Sequence, residues 1–444
     1  MSGGGYPLVI VDDVLSRARQ VADQAEVFHI SSVVTPVRFE ANRLKRVESK
    51  ESSIVALRII KGVKAGFAQA SGFVRPEELV EMALQACYFD VPAGFTFPGK
   101  TDYRGVDIFD PQLEKVSIED MAELGQRLID TVRAHTPELL CEASVTKRVT
   151  SVDIVNSNGG EASYKKSFFR IGVDGMLVRG EDILFVGDSQ SSCRPMLDFK
   201  PVVDEVVRQL ELAQRNASVR AGLMPVVFTP YGVASCLIMP LIAAFNGKAV
   251  YDGTSPLKDK LGKQVFDTRF NLWDDSTLPF QTRSYPCDDE GVPGQRTSLV
   301  ERGVVSHFLY DLHTAALCGS RSTGNGTRQG SLPTPYPSSL VVGEGDGNFW
   351  DMIKDIKEGL VVELTMGAEQ GNILNGDFSG NVLLGYKVEG GEIVGRVKNT
   401  MVSGNVYQVL TQIEAIGQER RWIEGILLTP SLYCRNLSVA TKEG

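Results

Sequence analysis

The segment Cys287-Asp-Asp-Glu-Gly-Val-Pro-Gly-Gln295 lies in a part of the chain where glycines are frequent and predicted turns are close together. Glu389-Gly-Gly391 is typical of a hairpin turn, because glycine adopts positive φ at little cost. Only two clear helices are predicted in this half, at residues 231–245 and 349–359. The other predicted elements are short strands at residues 297–300, 303–308, 381–388 and 392–397. We therefore predict a β-rich C-terminal domain.

The N-terminal half predicts helices between runs of strands. Ser117 and Asp120 have the spacing of a capping box, and Asn156-Ser-Asn-Gly-Gly160 is a strong turn signal between two strands. Separate runs of helices and strands favour an α+β fold over a parallel α/β sheet. We predict an N-terminal domain of helices with an antiparallel sheet (1–220) and the β-rich domain (221–444). The predicted helices are at residues 12–22, 76–87, 117–132 and 201–216, and the strands at 25–33, 37–44, 53–61, 64–70, 151–155 and 164–173.

Composition limits the classes of function. The 444 residues carry a net charge of −9, so the general attraction to a phosphate backbone is missing and direct nucleic-acid binding is disfavoured. The seven cysteines form no CxxC pair, which is typical of a reducing compartment. The sequence shows no signal peptide and no apolar run of the roughly 20 residues needed to span a membrane. We expect a cytoplasmic protein without a membrane partner.

Motifs for familiar chemistries are missing. No two of the four histidines have the i, i+4 spacing of a zinc helix, and there is no G-x-S-x-G elbow. The glycine-rich segment Thr323-Gly-Asn-Gly-Thr-Arg-Gln-Gly330 matches neither phosphate-binding pattern, and prolines follow it. Cys–His catalysis is left open by the sequence, although no cysteine has a recognisable activating context. We predict no catalytic residue and no metal ligand in this chain.

A set of short motifs in a fixed order carries a family resemblance. After the segment 287–295 come Ser322-Thr-Gly-Asn-Gly326, Gly376-Asp-Phe-Ser-Gly380 and Asn399-Thr-Met-Val-Ser-Gly-Asn405, and Val63-Lys-Ala-Gly-Phe67 adds to them in the N-terminal half. Together they resemble the TldD/PmbA family, whose older label is modulator of DNA gyrase, over nearly the whole chain. The resemblance implies a two-domain α+β protein that pairs with a homologue around an enclosed cavity. In the family's proteases, one subunit holds zinc through an H-E-x-x-x-H helix and a later cysteine, and extended or unfolded peptides are cleaved.

The segment that corresponds to the zinc helix is different here. Residues 231–245 contain no histidine and no acid, and Cys434 lies outside any G-T-C-G segment. The chain therefore resembles the PmbA (TldE) side of the family, which lacks the zinc motif. The resemblance implies the non-metal subunit of a metalloprotease complex that binds peptide. Zinc is then expected only in a TldD-like partner, with which this chain would form a heterodimer. The alternative is a homodimer of this chain, which would hold no zinc. This chain itself needs no cofactor and is not catalytic alone.

Polar residues in the glycine-rich segments are the candidates for peptide binding or for anchoring loops. The alternative for each is a turn residue that satisfies nearby backbone groups. Two other functions stay open: a non-enzymatic, homodimeric peptide-binding scaffold, and an indirect modulator of DNA gyrase that acts by degrading a gyrase-directed peptide. The candidate residues are Asp288, Glu290, Asn325, Gly326, Asn372, Asp377 and Ser379.

Overall fold

A computed structural model describes residues 6–73, 75–89, 91–328 and 332–441. Gln329 and Gly330 of the glycine-rich segment lie outside these residues. The helices are α1 (Tyr6–Ala18), α2 (Pro76–Ala86), α3 (Gln112–Lys115), α4 (Ile118–His135), α5 (Lys200–Leu212), α6 (Pro230–Cys236), α7 (Ile238–Ala244), α8 (Gly247–Tyr251), α9 (Leu312–Leu317), α10 (Phe349–Lys354) and α11 (Val406–Val409).

The strands fall into two large sheets and one two-stranded sheet. They are β1 (Gln24–Glu40), β2 (Arg43–Val47), β3 (Lys50–Lys61), β4 (Lys64–Ser71), β5 (Val91–Pro92), β6 (Leu140–Asn156), β7 (Glu161–Arg179), β8 (Asp182–Ser192), β9 (Asn216–Ala217), β10 (Gly222–Phe228), β11 (Leu272–Asp275), β12 (Arg296–Glu301), β13 (Val304–Val305), β14 (Gly326–Arg328), β15 (Pro333–Pro335), β16 (Leu340–Val342), β17 (Glu358–Met366), β18 (Asp377–Glu389), β19 (Glu392–Val397), β20 (Thr400–Asn405), β21 (Ile413–Ile423) and β22 (Leu427–Thr441).

The first sheet is antiparallel and has the order β5-β4-β3-β1-β6-β7-β8, with β2 paired to β1. Its long central strands alternate buried and exposed residues, as a sheet with one covered face does. The buried faces of α1 and α2 pack with β1, β3 and β4, while α4 and α5 pack with β6, β7 and β8. Strand β8 is at the end of the sheet, so one of its sides faces away from any neighbouring strand.

The second sheet is mixed and has β22 near its centre, where it pairs with β10, β16, β20 and β21. Helices α6 and α7 pack into the hydrophobic cluster of this sheet. Another cluster joins the two halves of the chain, because it contains Val132 of α4, Val173 of β7 and Val206 of α5 together with Val361 and Leu384 of the second sheet. The two sheets thus share a core, and the edge strand β8 lies close to β18 and β21.

Several predicted elements are confirmed. Ser117 and Asp120 form the capping box, with each side chain bonded to the other residue's backbone N–H. The hairpin at Glu389 joins β18 to β19, and the predicted strand at 392–397 is β19 itself. The helix predicted at residues 12–22 is observed as α1, which begins and ends nearer the N-terminus. The α+β class follows from these elements.

Two predicted helices are wrong in extent. Residues 231–245 form two short helices, α6 and α7, separated at Leu237. Pro240 has no N–H to donate to the carbonyl of Cys236, so an uninterrupted helix would lose a hydrogen bond there. The predicted helix 349–359 ends at Lys354, and its last two residues begin strand β17. The domain boundary predicted between residues 220 and 221 lies just before strand β10.

Candidate functional site

The predicted site residues fall into two separate groups, and the first is buried. Asp288 is 1% exposed. Its Oδ1 accepts hydrogen bonds from the backbone N–H groups of Glu290 (3.0 Å) and Val292 (2.9 Å), and its Oδ2 accepts one from Gly326 N–H (2.8 Å). Burial raises the pKa of Asp288 well above its ordinary value, and the neighbouring Glu290 adds to this. The contacts of Asp288 hold two loops together.

Glu290 belongs to a fully enclosed group of charges, here called the Arg58 cluster: Glu26, Arg58, Glu290 and Arg328. Arg58 donates to Glu290 Oε1 (2.5 Å) and Glu26 Oε2 (2.8 Å), and Arg328 donates to Glu26 Oε1. Burial raises the pKa of Glu290 to about 7, against the attraction of Arg58. Because all four side chains are at most 5% exposed, the cluster joins the first sheet to the loops of the C-terminal half with almost no contact with solvent.

Asn325 and Gly326 complete the buried group. Asn325 is 1% exposed, and its Nδ2 donates to Asp274 Oδ2 (2.7 Å). A Cβ on Gly326 would lie 2.4 Å from Glu290 Oε2, so only glycine fits beside this carboxylate. In this conformation the side chains of Asp288, Glu290 and Asn325 have almost no surface to offer a peptide. Their role in peptide binding remains a prediction.

Asn372, Asp377 and Ser379 lie elsewhere, around the start of β18, and they are exposed. Asn372 Oδ1 accepts the backbone N–H of Asn375 (3.3 Å), and Asp377 Oδ1 accepts Asn405 Nδ2 (2.8 Å). Ser379 Oγ lies 3.3 Å from the sulfur of Met401. The contacts of Asp377 and Ser379 are local to the β18 and β20 pair, and that of Asn372 to the turn before β18. Their role in peptide binding remains a prediction.

A cavity of about 710 Å³, here called the α6 cavity, was not predicted from the sequence. It lies between the edge strand β8 and elements of the second sheet, next to helix α6. Tyr231, Ala234 and Ser235 line it, and their i, i+3, i+4 spacing puts them on one helix face. Gly232, Val233 and Cys236 are buried on the other face. A Cβ on Gly232 would lie 2.2 Å from the carbonyl oxygen of Val362, so glycine lets α6 approach β17 closely.

A second group of charges borders this cavity, here called the Tyr231 network: Tyr231, Asp188, Arg421, Glu205, Arg208 and Glu363. Tyr231 Oη donates to Asp188 Oδ1, and Arg421 donates to Asp188 Oδ2. Burial raises the pKa of Asp188 to about 6, although Arg421 and Tyr231 act in the opposite direction. The hydroxyl of Tyr231 is thus fixed at the cavity wall by a buried carboxylate.

The network continues from Arg421 to Glu363. Arg421 also donates to Glu205 (3.1 Å), while Arg208 donates to Glu205 (2.6 Å) and to Glu363 Oε1 (2.8 Å). The other oxygen of Glu363, Oε2, is buried without a hydrogen-bond partner among the described residues. A cavity of about 420 Å³ touches five members of the network and lies beside the α6 cavity. Unlike the Arg58 cluster, this network borders open space.

The residues of α6 and α7 do not fit a zinc ion. Across 230–244 they offer no imidazole and no carboxylate, and zinc needs such groups or thiolates. Burial raises the pKa of Cys236 to about 11 and of Cys434 to about 12, so both sulfurs are held as thiols. In the ranges that the structure describes, no three His, Cys, Asp or Glu side chains are grouped to hold a metal ion. Nor is any helix in those ranges long and apolar enough to cross a membrane.

The fold and cavity define an α+β protein in which two sheets share a core and border an internal cavity. The chain belongs to the PmbA/TldD metallopeptidase family, as the sequence motifs predicted. The family's model for the PmbA/TldA metallopeptidase C-terminal domain matches residues 221–441, and its model for domain 1 matches residues 25–87.

Individual relatives agree with this assignment. The chain is 27% identical over 416 residues to an uncharacterized protein of Methanocaldococcus jannaschii, covering 92% of this chain and 94% of the relative. It is 27% identical over 391 residues to a metalloprotease TldD homolog of Haemophilus influenzae, covering 84% and 80%. The crystal structure of TldE from Thermococcus kodakarensis superposes with a TM-score of 0.87 at 22% identity and covers 97% of this chain and 100% of that one. This last likeness confirms the predicted fold class.

Proposed function

We propose that this chain is the non-metal subunit of a TldD/TldE-type zinc protease. In this proposal it binds extended or unfolded peptide, and a TldD-like partner supplies the zinc that cleaves it. The observation that carries the proposal is the α6 cavity. Helix α6, which the resemblance makes the counterpart of the family's zinc helix, turns Tyr231, Ala234 and Ser235 toward a cavity of about 710 Å³ and contributes no zinc ligand.

The edge strand β8 supports binding of a peptide backbone. Residues 185–189 of this strand line the cavity, and an edge strand has backbone groups that an extended peptide can pair with. At Gly187 the side-chain amide of Gln209 occupies these groups, because it accepts from Gly187 N–H (2.9 Å) and donates to Gly187 C=O (3.1 Å), and a bound peptide would replace it there. The amide makes the two hydrogen bonds that a neighbouring strand would make.

A homologous partner completes the proposed protease. We expect a heterodimer with a homologue that carries the H-E-x-x-x-H helix, since residues 230–244 of this chain include no histidine and no carboxylate. Catalysis then belongs to the pair. Indirect modulation of DNA gyrase would be a consequence of degrading a gyrase-directed peptide, and it needs no further site on this chain.

The test is to purify this chain with and without an H-E-x-x-x-H homologue from the same genome. We expect a complex on size-exclusion chromatography, and cleavage of an unfolded fluorescent peptide only by the mixture with zinc. Cleavage by this chain alone, or absence of a complex, would contradict the proposal. A self-associating chain that binds peptide, with no cleavage in any mixture, would favour the alternative of a homodimeric scaffold.

A cavity-filling variant tests the site itself. Ala234→Trp puts an indole on the cavity face of α6, and we expect cleavage by the complex to fall at least about 10-fold because peptide is excluded. Ala134→Trp is the matched control, since Ala134 is exposed on α4 away from the cavity. Equal activity of the two variants, with the complex intact, would show that peptide does not enter the α6 cavity.

A further inference from the structure

Two acidic side chains face each other across the first sheet in an arrangement that costs stability. Glu142 of β6 and Asp174 of β7 are directly opposite in the antiparallel register, where like charges repel. Arg170 attracts Asp174 but forms its ion pair with Glu424 (3.1 Å). The ion pairs that the structure shows among its described residues include neither Glu142 nor Asp174. Both side chains are exposed, so water solvates them in the free chain and a cationic ligand can reach them.

Both carboxylates line the α6 cavity. The two-residue period of β-strands puts Leu140 on the same face as Glu142, and Met176 on the same face as Asp174. A Cβ on Gly187, opposite Asp174 on β8, would lie 2.4 Å from Asp174 Oδ1. Glycine at this position thus keeps space open beside the carboxylate.

A third carboxyl group lies at the wall of the same cavity. Glu363 is 2% exposed and lines the cavity, and its Oε2 has no hydrogen-bond partner in the described part of the chain. Thr229 is close enough to lower the pKa of Glu363, and the carboxylate oxygen can still accept a donor from a ligand. The remaining wall is mainly apolar and includes Phe185, Leu384 and Ile423.

We propose that the α6 cavity selects peptide segments in which lysine or arginine stands beside apolar residues. The aliphatic stem of the basic side chain would pack on Leu140, Met176 and Phe185, while its charged end would reach Glu142 and Asp174. At about 710 Å³ the cavity exceeds one side chain, so apolar neighbours would fill the rest. This inference rests on the proposed function and names its substrate class.

Two unfolded peptides that differ in a single group test it. One contains lysine between apolar residues, and the other contains acetyl-lysine, which keeps the stem and removes the charge. With the complete complex, we expect kcat/KM for the lysine peptide to be at least about 10-fold higher, the effect of one charge-assisted contact. In the variant Glu142→Gln/Asp174→Asn this preference should be lost, so that kcat/KM for the two peptides becomes equal within error.

The controls separate this inference from the proposed function. Glu161→Gln removes one exposed charge from β7 outside the cavity and should keep the preference. If the complex cleaves both peptides equally well, the charge selection is wrong and the proposed function stands. If it neither binds nor cleaves either peptide, the proposed function fails first. If the double variant does not fold, the single variant Glu142→Gln replaces it. Fluorescence anisotropy then measures whether this variant still binds the lysine peptide more tightly than the acetyl-lysine peptide.

Discussion

The two buried charge networks of this molecule look alike in composition and differ in what surrounds them. The Arg58 cluster is enclosed, with side chains at most 5% exposed, and aromatic rings of Phe95 and Phe97 lie 5.0 and 4.9 Å from the Arg58 guanidinium. In the Tyr231 network, Arg421 and Arg208 are 27% and 31% exposed and the members border two cavities. The first network fastens loops to a sheet, and the second is placed where a ligand can reach it.

The surroundings of a buried charge decide whether it affects stability alone or ligand binding as well. A charge that is enclosed by its partners can only stabilise or destabilise the fold, since no ligand reaches it. A charge at a cavity wall keeps part of its hydration and can exchange water for a ligand. Substitutions in the two networks should therefore differ in their effects on unfolding and on peptide binding.

The largest effect is expected for Arg58→Met. The change keeps the volume but leaves Glu26 and Glu290 facing each other without their shared cation. Breaking a buried pair in this way typically costs about 3–5 kcal/mol of the free energy of unfolding. Urea unfolding measures it, and Arg46→Met on the exposed strand β2 is the control, with an expected loss of about 1 kcal/mol or less. A loss for Arg58→Met no larger than the control would contradict an enclosed cluster.

The second-largest effect is expected in the pH dependence of stability, through the carboxyl group of Asp188. Its pKa is raised to about 6 in the fold against about 3.9 in the unfolded chain, so the folded state binds the proton more tightly. The resulting stabilisation is present below about pH 4 and is lost as the pH rises through about 6. Asp188→Asn removes it, and the difference in unfolding free energy between the two proteins should change by on the order of 2 kcal/mol from pH 4 to pH 7. Parallel stability curves would mean that Asp188 titrates normally.

A smaller effect is expected for Tyr231→Phe. The change removes the donor to Asp188 Oδ1, but the adjoining cavity lets water take its place. We expect a loss of about 1 kcal/mol in thermal unfolding. Tyr88→Phe is the matched control, because Tyr88 is 84% exposed and should tolerate the change. A loss as large as that of Arg58→Met would show that the Tyr231 network is closed to solvent.

The smallest effect has the opposite sign. Glu142→Gln removes the repulsion from Asp174 across the β6–β7 pair, and the free energy of unfolding should rise by about 0.2–1 kcal/mol. Glu161→Gln, on the same sheet without an acidic residue opposite, should change little. A destabilised Glu142→Gln protein would show that the carboxylate already has a favourable partner in the folded chain, and the cavity would then lack the unmet charge that we assign to it.

Local sequence patterns predicted much of the fold. The capping box of Ser117 and the hairpin at Glu389 depend on residues a few positions apart, and both are confirmed. The C-terminal strand β22 was not predicted, although it lies near the centre of the second sheet. Its neighbours β10 and β16 are distant in the sequence, and nothing in a local pattern shows that they meet.

The candidate site was harder to predict for the same reason. Arg58 and Glu290 are 232 positions apart, and Arg421 and Asp188 are 233 apart, so sequence spacing gave no sign of either network. The motifs around Asp288 and Asn325 identified the family, but the structure buries these side chains. The i, i+3, i+4 spacing of Tyr231, Ala234 and Ser235 indicates a shared helix face. That face could have been recognised as a cavity wall only if the position of β8 opposite it had been known.

The central claim is that this chain provides a peptide cavity while a partner provides the metal. Native mass spectrometry in the presence of zinc tests it most directly, on this chain alone and on its complex with an H-E-x-x-x-H homologue. We expect no stoichiometric zinc on this chain and one zinc in the complex. One zinc bound to this chain alone would contradict it.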